Sequence, residues 1–170
     1  LADFDKAVAR FTGTERKHTA RELLQYHYAF LRGGTRPFGK FWGTAIYGQC
    51  DPAIAPEAVT LAYDMGARYV WFWTSDHDHH LPWPEQLALA RTLRQHARQH
   101  PRGSLAGPPP TLDTAIVIPN GYFLSLENLW WVRVMDKEGK NDASLKYRRL
   151  MQRVLNAVHQ CFDRKASFDI

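Results

Sequence analysis

The sequence predicts an α/β fold, and three observations carry that prediction. Helical and strand-like segments alternate from residue 15 to residue 100. The strand-like segment 67–75 is hydrophobic almost without interruption, as strands buried on both faces of a parallel sheet are. The Pro/Gly-rich stretch PRGSLAGPPP, 101–110, then breaks the chain, and the pattern restarts beyond it.

The first helix is expected over 15–34, ERKHTARELLQYHYAFLRGG. Ala20, Leu23, Leu24, His27, Tyr28 and Leu31 recur at helical spacing, Thr14 offers an N-cap, and Gly33-Gly34 supplies a stop. KFWGTAIYGQ, 40–49, is apolar and partly β-branched and reads as a buried strand. DPAIAPEAVTLAYDMG, 51–66, reads as a helix, with Pro56 near its first turn and Gly66 at its end. ARYVWFWTS, 67–75, is the next strand, and 84–100 the next helix, with Leu87, Ala90, Leu93 and Ala97 on one face. Past the connector, TAIVIP (114–119) reads as a short strand and 120–131 as a loop or short helix. A long helix is expected over 142–163 from Leu145, Leu150, Met151, Val154, Leu155, Val158 and Phe162, and SFDI, 167–170, as the start of a second strand. A parallel strand needs neighbours, so the chain reads as a piece of a larger polypeptide, whose remainder would be its first partner.

Composition narrows the function classes. With 45% hydrophobic and 23% charged residues, the 170-residue chain suits a globular protein with its own core. The net charge is +5, and part of the excess lies in RTLRQHARQHPR, 91–102. No nucleic-acid module accompanies that run, so it reads as a solvated helix face and no nucleic-acid partner is expected. No apolar run approaches the 18 or more residues that a membrane span needs, so no membrane partner is expected. Cys50 and Cys161 form no CxxC and leave the compartment open. No GxGxxG or GxxxxGK[ST] follows TAIVIP, so no cofactor is expected, and no GxSxG surrounds Ser75 or Ser104, which discounts serine hydrolysis.

The chemistry-bearing residues gather where the two strands end. After the first come Tyr47, Gln49 and Asp51; the second runs into WFWTSDHDHH, 71–80. Asp and His ligate Zn, Fe or Mn. In an extended segment only alternate side chains converge, which leaves His77 with His79, or Asp76 with Asp78 and His80, in a spacing that matches no named motif. Tyr47, Trp71, Trp73 and Trp83 offer flat platforms for sugar faces, and Gln49, Asp76, His77, His79 and His80 offer hydrogen bonds to hydroxyls. Hydrolysing a glycoside needs two flanking carboxyl groups; Asp76 is one, with Asp51 or Asp78 as the second. Gln49 cannot act as nucleophile or general acid. Asn120, Tyr122, Glu127 and Trp130-Trp131 follow the strand at 114–119 and suit packing against a neighbouring domain, or a ligand.

FWGTAIYGQ, AYDMGARYVWFWTSDHDHHLPWPEQLALAR and TAIVIPNGYFL together resemble the last strands of a glycoside-hydrolase-type TIM barrel running into a flavodoxin-like domain. That layout is similar to beta-galactosidases of the family 42 type and related barrels. The resemblance implies an incomplete (β/α) barrel over 1–100, a linker over 101–112, and the first β-loop-α unit of a flavodoxin-like domain over 113–170. It implies a glycoside hydrolase whose catalytic carboxyl groups would lie mostly outside this chain; within it, the reading of the residues gives Asp76 as the catalytic candidate and Tyr47, Gln49, Trp73, His77, His79, His80 and Trp83 as binding a carbohydrate. In such enzymes the nucleophile is a Glu near the end of the seventh strand, and Gln49 stands at the position that could match it. Two alternatives remain: a metal-dependent hydrolase using the Asp/His cluster, and a non-catalytic carbohydrate-binding or structural module, which Gln49 fits best.

Overall fold

The computed structural model describes residues 2–46, 51–73, 80–103, 111–118 and 142–170. They form two compact units, one of Thr19–Leu112 with Asp169, the other of Leu1–His18 and Asp113–Phe168 with Ile170.

The first unit opens with α2 (Ala20–Thr35), which follows α1 (Ala2–Thr12) of the other unit in the chain. The helix starts five residues beyond the expected Glu15, because Thr19 caps it. Thr19 Oγ1 accepts from Glu22 N at 3.1 Å while Glu22 Oε2 accepts from Thr19 N at 2.8 Å, a reciprocal capping box. A short 3₁₀ turn (Arg36–Phe38) leads to β1 (Gly43–Ile46), then α3 (Ala55–Asp64), β2 (Tyr69–Phe72) and α4 (Trp83–Gln99). β1 and β2 pair in parallel, Gly43 with Tyr69 through Ile46 with Phe72.

One face of this two-stranded sheet is packed. Ile46 joins Ala55, Ala58, Val59, Leu81 and Leu89 in one cluster, against which Val70 and Phe72 lie. Tyr28, Trp42, Leu61, Ala62 and Ala67 form a second. Tyr28 is fully buried, and its hydroxyl donates to the Ala58 carbonyl at 3.1 Å, so burying this phenol strands no polar atom.

In the other unit α1 packs against α5 (Asp142–Asp163), and Val8, Val154, Leu155 and Val158 are buried. β3 (Thr114–Ala115) pairs with β4 (Phe168–Asp169). Asp113 clamps this pair: its Oδ2 accepts from Ser167 N and Ser167 Oγ, both at 2.8 Å. Those two hydrogen bonds hold the Asp113 carboxyl below the usual carboxylate range.

The architecture corrects the expected one. Among the described residues there are four strands, two to four residues long, in two separate two-stranded sheets. Among the described residues β1 and β2 pair only with each other, and β3 only with β4. These residues form neither a (β/α) barrel nor a flavodoxin-like sheet, but an α/β fold with two small sheets. Nor is β2 buried on both faces, since Tyr69 and Trp71 stand in solvent. A run of aromatics reads as continuous burial in sequence, but here alternate members serve different faces.

Candidate functional site

The face of the β1–β2 sheet opposite the helices is where the aromatic side chains emerge. Strand geometry sends residues 69, 71 and 73 to one side and 70 and 72 to the other. Burial follows that rule: Tyr69, Trp71 and Trp73 are 57%, 49% and 39% exposed, while Val70 and Phe72 pack inward. The Trp73 amide donates to the Ile46 carbonyl at 3.0 Å, extending the ladder by one bond and fixing the third ring in line. Across the pair, the residues aligned with Tyr69 and Trp71 are Gly43 and Ala45. A hydrogen at Gly43 and a methyl group at Ala45 leave the rings uncovered. Gly43 is also required by the close approach of β2, because a Cβ there would stand 2.4 Å from the Tyr69 carbonyl oxygen. At the edge of the sheet Phe41, itself half exposed, lies under the Arg68 guanidinium, 5.3 Å from ring centre to Cζ.

The chain returns to the carboxyl end of β2 at Leu81, whose amide donates to the Trp73 carbonyl at 3.3 Å. That bond sets exposed His80 beside the strand end and starts α4 there with Trp83, 67% exposed. Of the expected site residues, the structure thus gathers Trp73, His80 and Trp83 at one end of β2. Tyr47, Gln49, Asp76, His77 and His79 lie outside the described residues, as do Asp78, Cys50 and the Asn120–Trp131 candidates.

The hydrolase reading does not survive this geometry. Asp51 serves the chain itself: its Oδ1 accepts from Ala53 N at 2.9 Å, and its carbonyl accepts from Ile54 and Ala55, turning the backbone into α3. No pair of carboxyl groups faces across a strand end among the described residues. Among the described residues no group of three or more His, Cys, Asp or Glu side chains is arranged around a metal position; the Asp/His cluster of the metal-dependent alternative lies, but for His80, outside them. No helix there is long and apolar enough to cross a membrane.

Two clusters went unseen in the sequence because their members come from distant segments. In the α1–α5 unit, His18 is almost wholly buried. Its Nδ1 lies 2.7 Å from Asp5 Oδ1, and its Nε2 lies 3.0 Å from His159 Nε2. The His18 hydrogen bond holds the Asp5 carboxyl below its ordinary range. Phe4 closes the pair edge-on at 5.0 Å. In the other unit a cleft of about 600 Å³ opens between α3, β2 and α4. The basic stretch expected to be a plain solvated face supplies Arg94, Ala97, Pro101 and Arg102 to its walls.

No family model, no curated protein and no solved structure matches the chain, so the resemblance to family 42 type beta-galactosidases gains no support beyond the segments that suggested it, and the two-sheet α/β fold stands in its place.

Proposed function

We propose that the protein is a non-catalytic carbohydrate-binding module whose platform is the open aromatic face of β2. The observation that carries this reading is the row Tyr69, Trp71, Trp73, exposed at alternate positions opposite Gly43 and Ala45. Keeping three large rings in water forfeits the stabilisation their burial would bring, about 1.5–3 kcal/mol for a large apolar side chain. A contiguous patch of that kind marks a binding surface. Neighbouring rings sit two strand residues apart, about 6.6 Å along the strand, an extended spacing that favours a chain of sugar rings over a single one. Sugar faces carry C–H groups that pack on aromatic rings, while their hydroxyls need hydrogen bonds at the rim. His80 stands at that rim. Tyr47 and Gln49 after β1, and Asp76, His77 and His79 after β2, are the further proposed hydroxyl partners on the strength of chain order and chemistry. Trp83 extends the platform at the start of α4.

Titration with gluco- and galacto-oligosaccharides, followed by tryptophan fluorescence and calorimetry, tests this. Saturable binding is expected, weakened at least tenfold (about 1.4 kcal/mol) in Trp71→Ala, with the oligosaccharide recovered at its original length. Absence of binding across both series would overturn the reading, and so would shortened products.

A further inference from the structure

We infer that the cleft between α3, β2 and α4 is a second ligand site, built for a small amphipathic carboxylate. It lies on the packed side of the sheet, opposite the aromatic face, and does not depend on the carbohydrate reading. Its volume of about 600 Å³ falls within the range of small-molecule pockets, about 300–1,000 Å³. Val70, Phe72, Leu93 and Ala97 give it carbon walls suited to a hydrocarbon or aryl tail.

Two guanidiniums give it a charge preference. Arg102 stacks on Tyr63, its Cζ 4.0 Å from the ring centre, and its Nη1 donates to the carbonyls of Tyr63 and Ala67 at 3.3 and 3.0 Å. Neutral carbonyls orient the group without neutralising it, and its Nε is buried with no acceptor among the described residues. A buried donor left unmatched is costly, and more so on a cation. Arg94 lines the same cleft from α4 and makes no ion pair among the described residues. An apolar wall beside two cations with no acidic partner among the described residues fits one chemistry: an anionic head on an apolar tail. A carboxylate suits it best, because its two oxygens match the forked donors of Arg94, while Arg102 contributes its charge.

Calorimetric titration of the full chain with octanoate, octanol and acetate tests the assignment. Octanoate is expected to bind at one site, with octanol and acetate each at least tenfold weaker, as loss of a charged hydrogen bond or of the apolar tail requires. Arg94→Gln should weaken octanoate about tenfold, and Ala90→Trp, an exposed cleft position, should block it while leaving the thermal melt of the ligand-free protein in place. Arg102 also holds two backbone carbonyls, so its substitution would not separate binding from folding. No octanoate binding would sink the proposal. Equal binding of acetate would reduce the site to adventitious anion contact, equal binding of octanol would remove the role of the guanidiniums, and unchanged affinity in Arg94→Gln would do the same.

Discussion

At the residue scale, Gly43 governs how the aromatic row is displayed. It lies opposite Tyr69, whose carbonyl oxygen and Cβ would stand 2.4 and 2.8 Å from any added Cβ. The nearer obstacle is backbone and cannot swing aside, so Gly43→Ala must push β1 and β2 apart at one end of a four-residue ladder. Overpacking of this kind typically costs about 1–3 kcal/mol, and urea denaturation should show that loss. The same variant should also weaken saccharide binding, since the displaced strand carries the rings. A neutral substitution would mean that the two strands tolerate separation and that the ring alignment does not rest on this contact. Nothing in KFWGTAIYGQ announces such a role. A glycine in a strand signals a close approach, but the approaching atom belongs to a segment 26 residues later.

At the element scale, the helix ends explain both what could be read from the sequence and what could not. α3 stops in a Schellman turn: Ala67 N donates to Ala62 O and Gly66 N to Tyr63 O, with Gly66 at a φ of 92°. Gly66 had marked that stop in advance. α5 ends by the same bonding pattern, Ala166 N to Cys161 O and Lys165 N to Phe162 O, but its left-handed residue is Lys165, at a φ of 53°. Its span of 142–163 was still readable, because the apolar spacing itself runs out there. An L side chain in that conformation costs roughly 1–2 kcal/mol, offset in part by the backbone entropy a glycine would lose, so Lys165→Gly should stabilise by about 0.5–1 kcal/mol. A rise in melting temperature would show it; a fall would mean that the lysine side chain makes compensating contacts. The start of α2 was missed although Thr19 and Glu22 stand at capping-box spacing, because Glu15 and Lys17 continue the helical composition upstream. Strand starts fared worst: β1 and β2 begin at Gly43 and Tyr69 rather than at 40 and 67, while 47–49 and 74–75 lie outside the described residues. Apolar composition alone does not mark where the ladder begins. The cleft and the Asp5–His18–His159 cluster could not be read at all, since each joins side chains from segments with no local relationship.

At the scale of the whole molecule, the perturbed carboxyls predict how the protein responds to acid. Asp5 is held below its usual range chiefly by the His18 side chain, and Asp113 by the backbone and hydroxyl of Ser167. Both belong to the α1–α5 unit. In the unfolded chain an aspartate titrates near about 3.9, so between that value and the lower folded one the unfolded state binds more protons. Stability from these groups is therefore complete above about pH 4 and drains away as pH falls through the folded-state values. Melting temperature should hold steady from pH 7 to about pH 4, as far as these two groups decide it, and then decline. An Asp5→Asn/Asp113→Asn double variant cannot titrate at either position. It should melt below the wild-type protein at pH 7 and decline less steeply in acid, so that the two curves approach one another near pH 2. Parallel curves would mean that the clamp on β3–β4 and the carboxylate behind His18 are geometric contacts without thermodynamic weight. Because both groups sit in one unit, amide exchange should locate the acid-sensitive opening there: protection would fall first in α1 and α5, while the amides of β1 and β2 beneath the aromatic face keep theirs.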